Sequence, residues 1–203
     1  QCTHRWSPFH FYLRPMPQSF SEEWDQTMVH THQIIYSEQI TRGPAATVLL
    51  AQDHCESDCV TVVANCDQSI SFDLSKTDGL GQKIILPTYC NYHQKSSYVE
   101  IKDGRVIKIV EKKNISNIAS AGIFVVPTAR DLFSCLKKHI DECNGEPFVG
   151  PALNLLINKG VEAVPLEVSA KYDLGSLEGI KRFSNGMEKL KLLFTDNNES
   201  RTD

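Results

Sequence analysis

The six residues Cys59 to Ala64 (C-V-T-V-V-A) constrain this chain more than any other stretch. They are mostly β-branched or apolar and offer no polar face, so they read as a strand rather than an amphipathic helix. An unbroken run of this kind predicts a strand buried on both sides, as in a parallel sheet covered by helices. It ends in Asn65-Cys66-Asp67, which places a carboxylate directly after the strand. In open α/β sheets ligands collect beyond the carboxyl ends of the strands, so that position bears on function.

The remaining pattern alternates. Phe9 to Leu13 and Gln33 to Tyr36 predict short strands, with a helix over Trp24 to His30 between them introduced by Glu22 and Glu23. Gly43-Pro44 opens a helix running to Ala51, proline being tolerated in a first turn. Lys83 to Leu86 predicts another strand, and Tyr98 to Lys102 and Arg105 to Val110 flank the hairpin pair Asp103-Gly104. Ala121 to Val126 reads as a further buried strand. Thr128 to Cys143 follows as a helix with Leu132, Phe133, Leu136 and Ile140 on one face. A helix over Pro151 to Asn158, closed by Lys159-Gly160, a strand over Val161 to Val168 and a helix over Leu177 to Leu190 complete the order. Strands alternating with helices, interrupted by one hairpin, predict a single α/β layered domain with a mixed, mostly parallel sheet. Its expected limits are 20–194, after an irregular segment 1–19 and before a polar tail 195–203.

Charge and cysteine content narrow the function. A net charge of -4, with 23% charged residues, gives no electrostatic reason to expect nucleic acid or an anionic membrane as partner. No apolar run is long enough to span a bilayer, and a cytoplasmic location is expected. The cysteines number seven, an odd count, and their spacings do not repeat. Cys55 and Cys59 lie too far apart for a zinc knuckle, so reduced, mostly structural thiols are expected.

Four local signals bear on chemistry, each with two readings. Asp67 can hold a divalent cation through oxygen or can simply start a turn. Asp173, before Leu174-Gly175-Ser176, occupies a comparable strand end, with Ser176 placed to cap the last helix. Gly43, in Thr41-Arg42-Gly43-Pro44, allows close backbone approach to a ligand or to packed chain. Glu111 can accept from hydroxyls and Lys112 can neutralise a phosphate, or both can belong to a solvated charge run.

Taken in order, these segments resemble the sugar-1-phosphate nucleotidyltransferases, or nucleoside-diphosphate-sugar pyrophosphorylases. The resemblance rests on T-R-G-P-A-A-T-V-L-L-A at Thr41 to Ala51 and V-V-A-N-C-D-Q at Val62 to Gln68. It continues in D-G-R-V-I-K-I-V-E-K at Asp103 to Lys112, I-S-N-I-A-S-A-G-I-F at Ile115 to Phe124, and Y-D-L-G-S-L-E-G-I-K-R-F at Tyr172 to Phe183. It implies a Rossmann-like nucleotidyltransferase fold of the glycosyltransferase-A kind and a role in nucleotide-sugar and polysaccharide biosynthesis. The implied reaction joins a sugar 1-phosphate to a nucleoside triphosphate and releases pyrophosphate. By the same resemblance Asp67 and Asp173 hold Mg²⁺, and Gly43 lies near the nucleobase. Glu111 meets sugar hydroxyls, Lys112 meets the sugar phosphate and acts in catalysis, and Gly122 lines the sugar pocket.

Three departures qualify it. Nothing in Gln1 to Ser19 reads as the family's G-x-G-x-R triphosphate loop, and the first strand that precedes that loop has no counterpart. The stretch between Phe72 and Ile84 is short for a crossover helix, and Lys113 stands where relatives carry proline. Two expectations follow from the first departure. Either the chain binds a sugar phosphate or nucleotide sugar without turnover, or a homo-oligomer or partner chain completes the sheet, whose open edge would otherwise be an aggregation hazard.

Overall fold

The computed structural model describes residues 10–13, 33–37, 39–71, 81–91 and 96–187. The predicted helix at Trp24 to His30, the short stretch after Phe72, most of the segment 1–19 and the tail 195–203 lie outside the described residues.

At the centre runs β5 (Ile84–Cys90), whose residues from Ile84 to Thr88 are all buried. On one side β10 (Ala163–Glu167) pairs with it in parallel. On the other, β8 (Ile118–Ser120) and β9 (Ile123–Val126) pair antiparallel. Beyond β8 lie β6 (Ser97–Lys102) and β7 (Arg105–Glu111), and beyond β9 lies β3 (Thr61–Ala64), making seven strands. Two smaller ribbons accompany this sheet. The first, β1 (His10–Leu13) with β2 (Gln33–Tyr36), is parallel. The second, β4 (Gln68–Ser71) with β11 (Ala170–Asp173), is antiparallel. Four helices are described: α1 (Pro44–Leu49), α2 (Ala129–Glu142), α3 (Val149–Asn158) and α4 over residues 177–187.

The layered α/β class matches the expectation, but strand directions differ from it. Among the described strands only β10 with β5 and β1 with β2 are parallel, and the other pairings run antiparallel. The strand buried on both faces is β5, not β3. In β3, Thr61, Val62 and Val63 are half-buried, Ala64 is exposed, and the one described neighbour is the antiparallel β9. β-Branched residues favour a pleated conformation without fixing strand direction, which depends on partners distant in sequence.

Several local predictions hold for reasons visible in the chain. Asp103 and Gly104 both adopt positive φ, 50° and 75°, as a two-residue turn between β6 and β7 needs. α2 begins where Thr128 accepts a hydrogen bond from the Asp131 N–H (3.1 Å), while its own hydroxyl donates to Asp131 Oδ2 (2.8 Å). Its Leu132, Phe133 and Leu136 enter the core beside Ile84, Leu86, Val99 and Ile109. α3 starts at Val149, two residues before the predicted Pro151, because any first-turn position tolerates a missing N–H. Among the described residues no helix is long and apolar enough to cross a membrane, and no cysteine is in a disulfide.

Two features place the site. Pro87 sits in the central strand opposite the break between β8 and β9, where its carbonyl accepts from the Ala121 N–H (2.7 Å). Gly122 (φ 75°) turns the chain at that break, and its carbonyl accepts from the Asn65 N–H at the end of β3 (2.9 Å). Asn154 of α3 in turn closes the free edge of β7. Its Oδ1 accepts from the Ile109 N–H and its Nδ2 donates to the Ile109 carbonyl, both at 2.8 Å. Asn154→Leu strands both backbone groups, each costing about 1–3 kcal/mol when buried and unpaired. The urea midpoint is expected to fall accordingly with an unchanged slope, and an unchanged midpoint would contradict this reading.

Candidate functional site

Asp67 and Asp173 stand more than a hundred residues apart in sequence and meet through the β4–β11 ribbon. Asp173 is register partner to Gln68, and the Leu174 N–H donates to the Asp67 carbonyl (2.7 Å). Both carboxylates flank Gly175. A Cβ placed there would lie 2.9 Å from Asp67 Oδ2 and 3.3 Å from Asp173 Oδ1, so any larger residue displaces the Asp67 carboxylate. Asp173 is further fixed by α4, accepting from the Gly175 N–H and from the Ser176 hydroxyl, both at 3.0 Å. Ser176 caps α4 as expected, its Oγ accepting from the Gly179 N–H (3.1 Å).

Both aspartates face solvent. Among the described residues no group of three or more His, Cys, Asp or Glu gathers as a ready-made metal cage. Two exposed carboxylates on one spot, with oxygen donors only, fit a hard cation such as Mg²⁺, which keeps several waters and takes other ligands from substrate phosphate.

Beside Gly122 lies a cavity of about 190 Å³, bordered by Pro44, Asn65, Ser96, Glu111, Gly122 and Lys171 among others. Gly122 is needed here. A Cβ on it would come within 2.6 Å of Asn65 Nδ2 and 2.9 Å of the Gln68 amide. Gln68 is itself the β4 partner of Asp173, and Lys171 of β11 borders the cavity, so the cavity and the aspartate pair share one ribbon. Among the described residues two buried polar atoms, Gln68 Nε2 and Ser97 Oγ, have no hydrogen-bond partner. Unpaired buried donors are costly, and Ser97 borders the cavity, where a bound ligand rich in oxygen would satisfy it.

Glu111 stands across the β6–β7 ladder from Ser97. Burial pushes its carboxyl above the usual range, with Glu146 adding to the rise. The nearby Ser97 hydroxyl and Lys112 pull the other way, although Ser97 makes no hydrogen bond of ordinary geometry. A raised folded-state value means the native protein holds this proton more tightly than the unfolded chain. Its contribution to stability is therefore present at low pH and lost as pH rises through the folded value. Glu111→Gln removes that loss. The variant is expected to match the parent below about pH 4 and to exceed it in urea midpoint at neutral pH. Identical pH profiles for the two proteins would contradict the assignment.

Lys112 and Gly43 are both engaged by neighbouring chain. Lys112 adopts φ 54° and donates its N–H to the Ser96 carbonyl (3.0 Å). Its ammonium lies 3.0 Å from Glu146 Oε2 and 4.5 Å from the centre of the Phe148 ring. Gly43 is extended (φ 163°) and packs against Glu146 and Pro147, where a Cβ would meet Glu146 Cγ at 2.8 Å and the Pro147 carbonyl at 2.9 Å. The neighbouring Arg42 donates to the carbonyls of Ile140 in the last turn of α2 and of Cys143 and Gly145 after it. Lys171 borders the cavity, although no motif points to a role for it. The available signal was its place two residues before Asp173 in a strand, which puts both side chains on one face.

No protein-family model matches this chain, and no curated protein sequence does. Solved structures do. A nucleoside-diphosphate-sugar pyrophosphorylase from Vibrio cholerae RC9 superposes with TM-score 0.71 at 20% identity, covering 87% of this chain and 80% of that one. A UDP-glucose pyrophosphorylase solved with UDP-glucose gives 0.64 at 21% identity, over 78% of this chain and 66% of that one. The inositol-1-phosphate CTP transferase from T. maritima gives 0.67 at 15% identity, over 83% and 70%. At such identities the likeness is one of fold, and it is the nucleotidyltransferase fold that the ordered motifs imply.

Proposed function

We propose that this chain binds a sugar 1-phosphate in the cavity beside Gly122 and transfers a nucleotidyl group to it from a nucleoside triphosphate. The observation that carries this reading is the convergence of Asp67 and Asp173 on Gly175, on the same ribbon that borders the cavity. The fold neighbours include pyrophosphorylases of nucleotide sugars, which supports the reaction class.

In this reaction a phosphate oxygen of the sugar 1-phosphate attacks the α-phosphorus of the triphosphate. A new oxygen–phosphorus bond forms, the bond to the β-phosphate bridging oxygen breaks, and pyrophosphate leaves. The difficulty is bringing two anions together, so catalysis is mainly positioning and charge neutralisation. Asp67 and Asp173 would hold Mg²⁺, which when bound offsets charge on the α-phosphate and the attacking phosphate. Glu111 accepts hydrogen bonds from sugar hydroxyls, and the unpaired Ser97 hydroxyl, which also borders the cavity, donates to an oxygen on the same ligand. Gly122 keeps the floor of the cavity open to the sugar ring. Pro44, next to Gly43, borders the cavity and forms the wall expected to face the nucleotide. Lys112 reaches a phosphate only by exchanging Glu146, a half-exposed pair whose loss costs about 1 kcal/mol or less.

Phosphorus NMR of the protein with hexose 1-phosphates, nucleoside triphosphates and Mg²⁺ tests the reading. The expected result is the paired appearance of a nucleotide-sugar diphosphate signal and free pyrophosphate. Unchanged spectra for every pair, from protein that melts cooperatively, would count against it.

A further inference from the structure

Two lysines stand near the cavity, and their surroundings differ. Lys112 is engaged by the Glu146 carboxylate at 3.0 Å and does not border the cavity. Lys171 borders it, and among the described residues it makes no ion pair. Its position is nonetheless well defined. The ammonium lies 4.7 Å from the centre of the Tyr89 ring and 3.4 Å from the Tyr89 hydroxyl, to which it donates. Tyr89 is itself held, accepting from Asn91 Nδ2 (3.1 Å) and lying 3.4 Å from the Ser96 hydroxyl. Asn91 is buried and also donates to Ser96 Oγ, so the tyrosine stands on a fixed polar support. A lysine with three N–H donors, one spent on Tyr89, keeps two for a ligand.

Position along the strand sets the direction of binding. Lys171 and Asp173 are alternate residues of β11 and leave one face, about 7 Å apart by strand rise. Glu111 is the cavity's carboxylate and repels a phosphate, whereas Lys171 attracts one. A sugar phosphate therefore lies with its hydroxyls toward Glu111 and its phosphate toward Lys171, the side from which β11 leads to Asp173. We infer that Lys171, rather than Lys112, is the residue that anchors the ligand's phosphate in this chain. This inference rests on the proposed sugar-phosphate reading of the cavity.

Calorimetric titration of the full chain with glucose, galactose and mannose 1-phosphates, in the presence of Mg²⁺, tests it. Lys171→Met is expected to weaken binding about ten- to hundredfold, the loss of a charge-assisted hydrogen bond to phosphate. Lys171→Arg restores most of it, and Lys112→Met weakens binding by less than Lys171→Met does. Thermal melts of each variant separate binding loss from unfolding, and rescue by arginine shows that charge rather than packing is at issue. If the parent binds the hexose 1-phosphates and Lys171→Met binds them equally well, the inference is wrong while the cavity reading stands. An effect of Lys112→Met as large as that of Lys171→Met overturns it equally. A parent protein that binds none of the three overturns both.

Discussion

Asp67→Asn is expected to reduce pyrophosphate release by roughly a thousandfold, about 4 kcal/mol of transition-state stabilisation, the scale of a lost metal contact. It is also expected to remove any rise in melting temperature produced by Mg²⁺. Without metal the expectation reverses. Asp67 is exposed beside Gly175, and replacing an exposed carboxylate by its isosteric amide costs little, so the asparagine variant melts no lower than the parent. A structural aspartate whose only task is to begin β4 would give a different pattern. Its replacement would lower the melting temperature equally with and without Mg²⁺.

Gly179→Ala is the second large effect, and it acts at a distance from any ligand. A Cβ on Gly179 would overlap the backbone carbonyl oxygen of Asp173, and no rotamer change relieves a clash with backbone. α4 must then move off the end of β11. That motion breaks the contacts that hold the Asp173 carboxylate, from the Gly175 N–H and the Ser176 hydroxyl. The expected outcome is a loss of about 3 kcal/mol or more in stability, the range of strongly disruptive substitutions, together with loss of the Mg²⁺-dependent melting shift. Gly160→Ala provides the contrast. Gly160 has φ 93° but open space around its Cβ, so it costs only about 1–2 kcal/mol of backbone strain and leaves the Mg²⁺ shift intact. Equal behaviour of the two variants would show that α4 does not set the position of Asp173.

These two positions also show where the sequence could be read and where it could not. Asp67 and Asp173 stand out in the sequence because each follows a strand-like run in order among other motifs, and the fold brings both beside Gly175. The turn at Asp103-Gly104 and the buried face of α2 were legible because their determinants lie within a few residues of each other. Strand direction was not. β3 carries the most strand-like composition in the chain, yet its described neighbour is antiparallel and the doubly buried strand is β5. The β4–β11 ribbon escaped notice because Gln68 to Ser71 shows a single apolar residue, too little for a period. With the ribbon unseen, Lys171 could not be placed beside the cavity, nor Gly175 against the carboxylates and Gly179 against the Asp173 backbone carbonyl. Gly43 illustrates the opposite difficulty. Its motif allows close approach of a ligand or of packed chain, and a Cβ there would meet Glu146 and Pro147, so packing alone already requires glycine.

Asn154, Glu111 and Lys171 respond to different measurements, which keeps fold, cavity and charge separable. Asn154 reports on the edge of β7, Glu111 on burial within the cavity wall, and Lys171 on what the cavity receives. None of them substitutes for a test of turnover.

The most direct test is pyrophosphate release from the full chain mixed with each pairing of hexose 1-phosphate and nucleoside triphosphate, with Mg²⁺ and then with a chelator. The prediction is release with at least one pairing, lost on chelation and in both Asp67→Asn and Asp173→Asn. Release that survives both substitutions, or no release with any pairing from a cooperatively folded sample, would contradict the account.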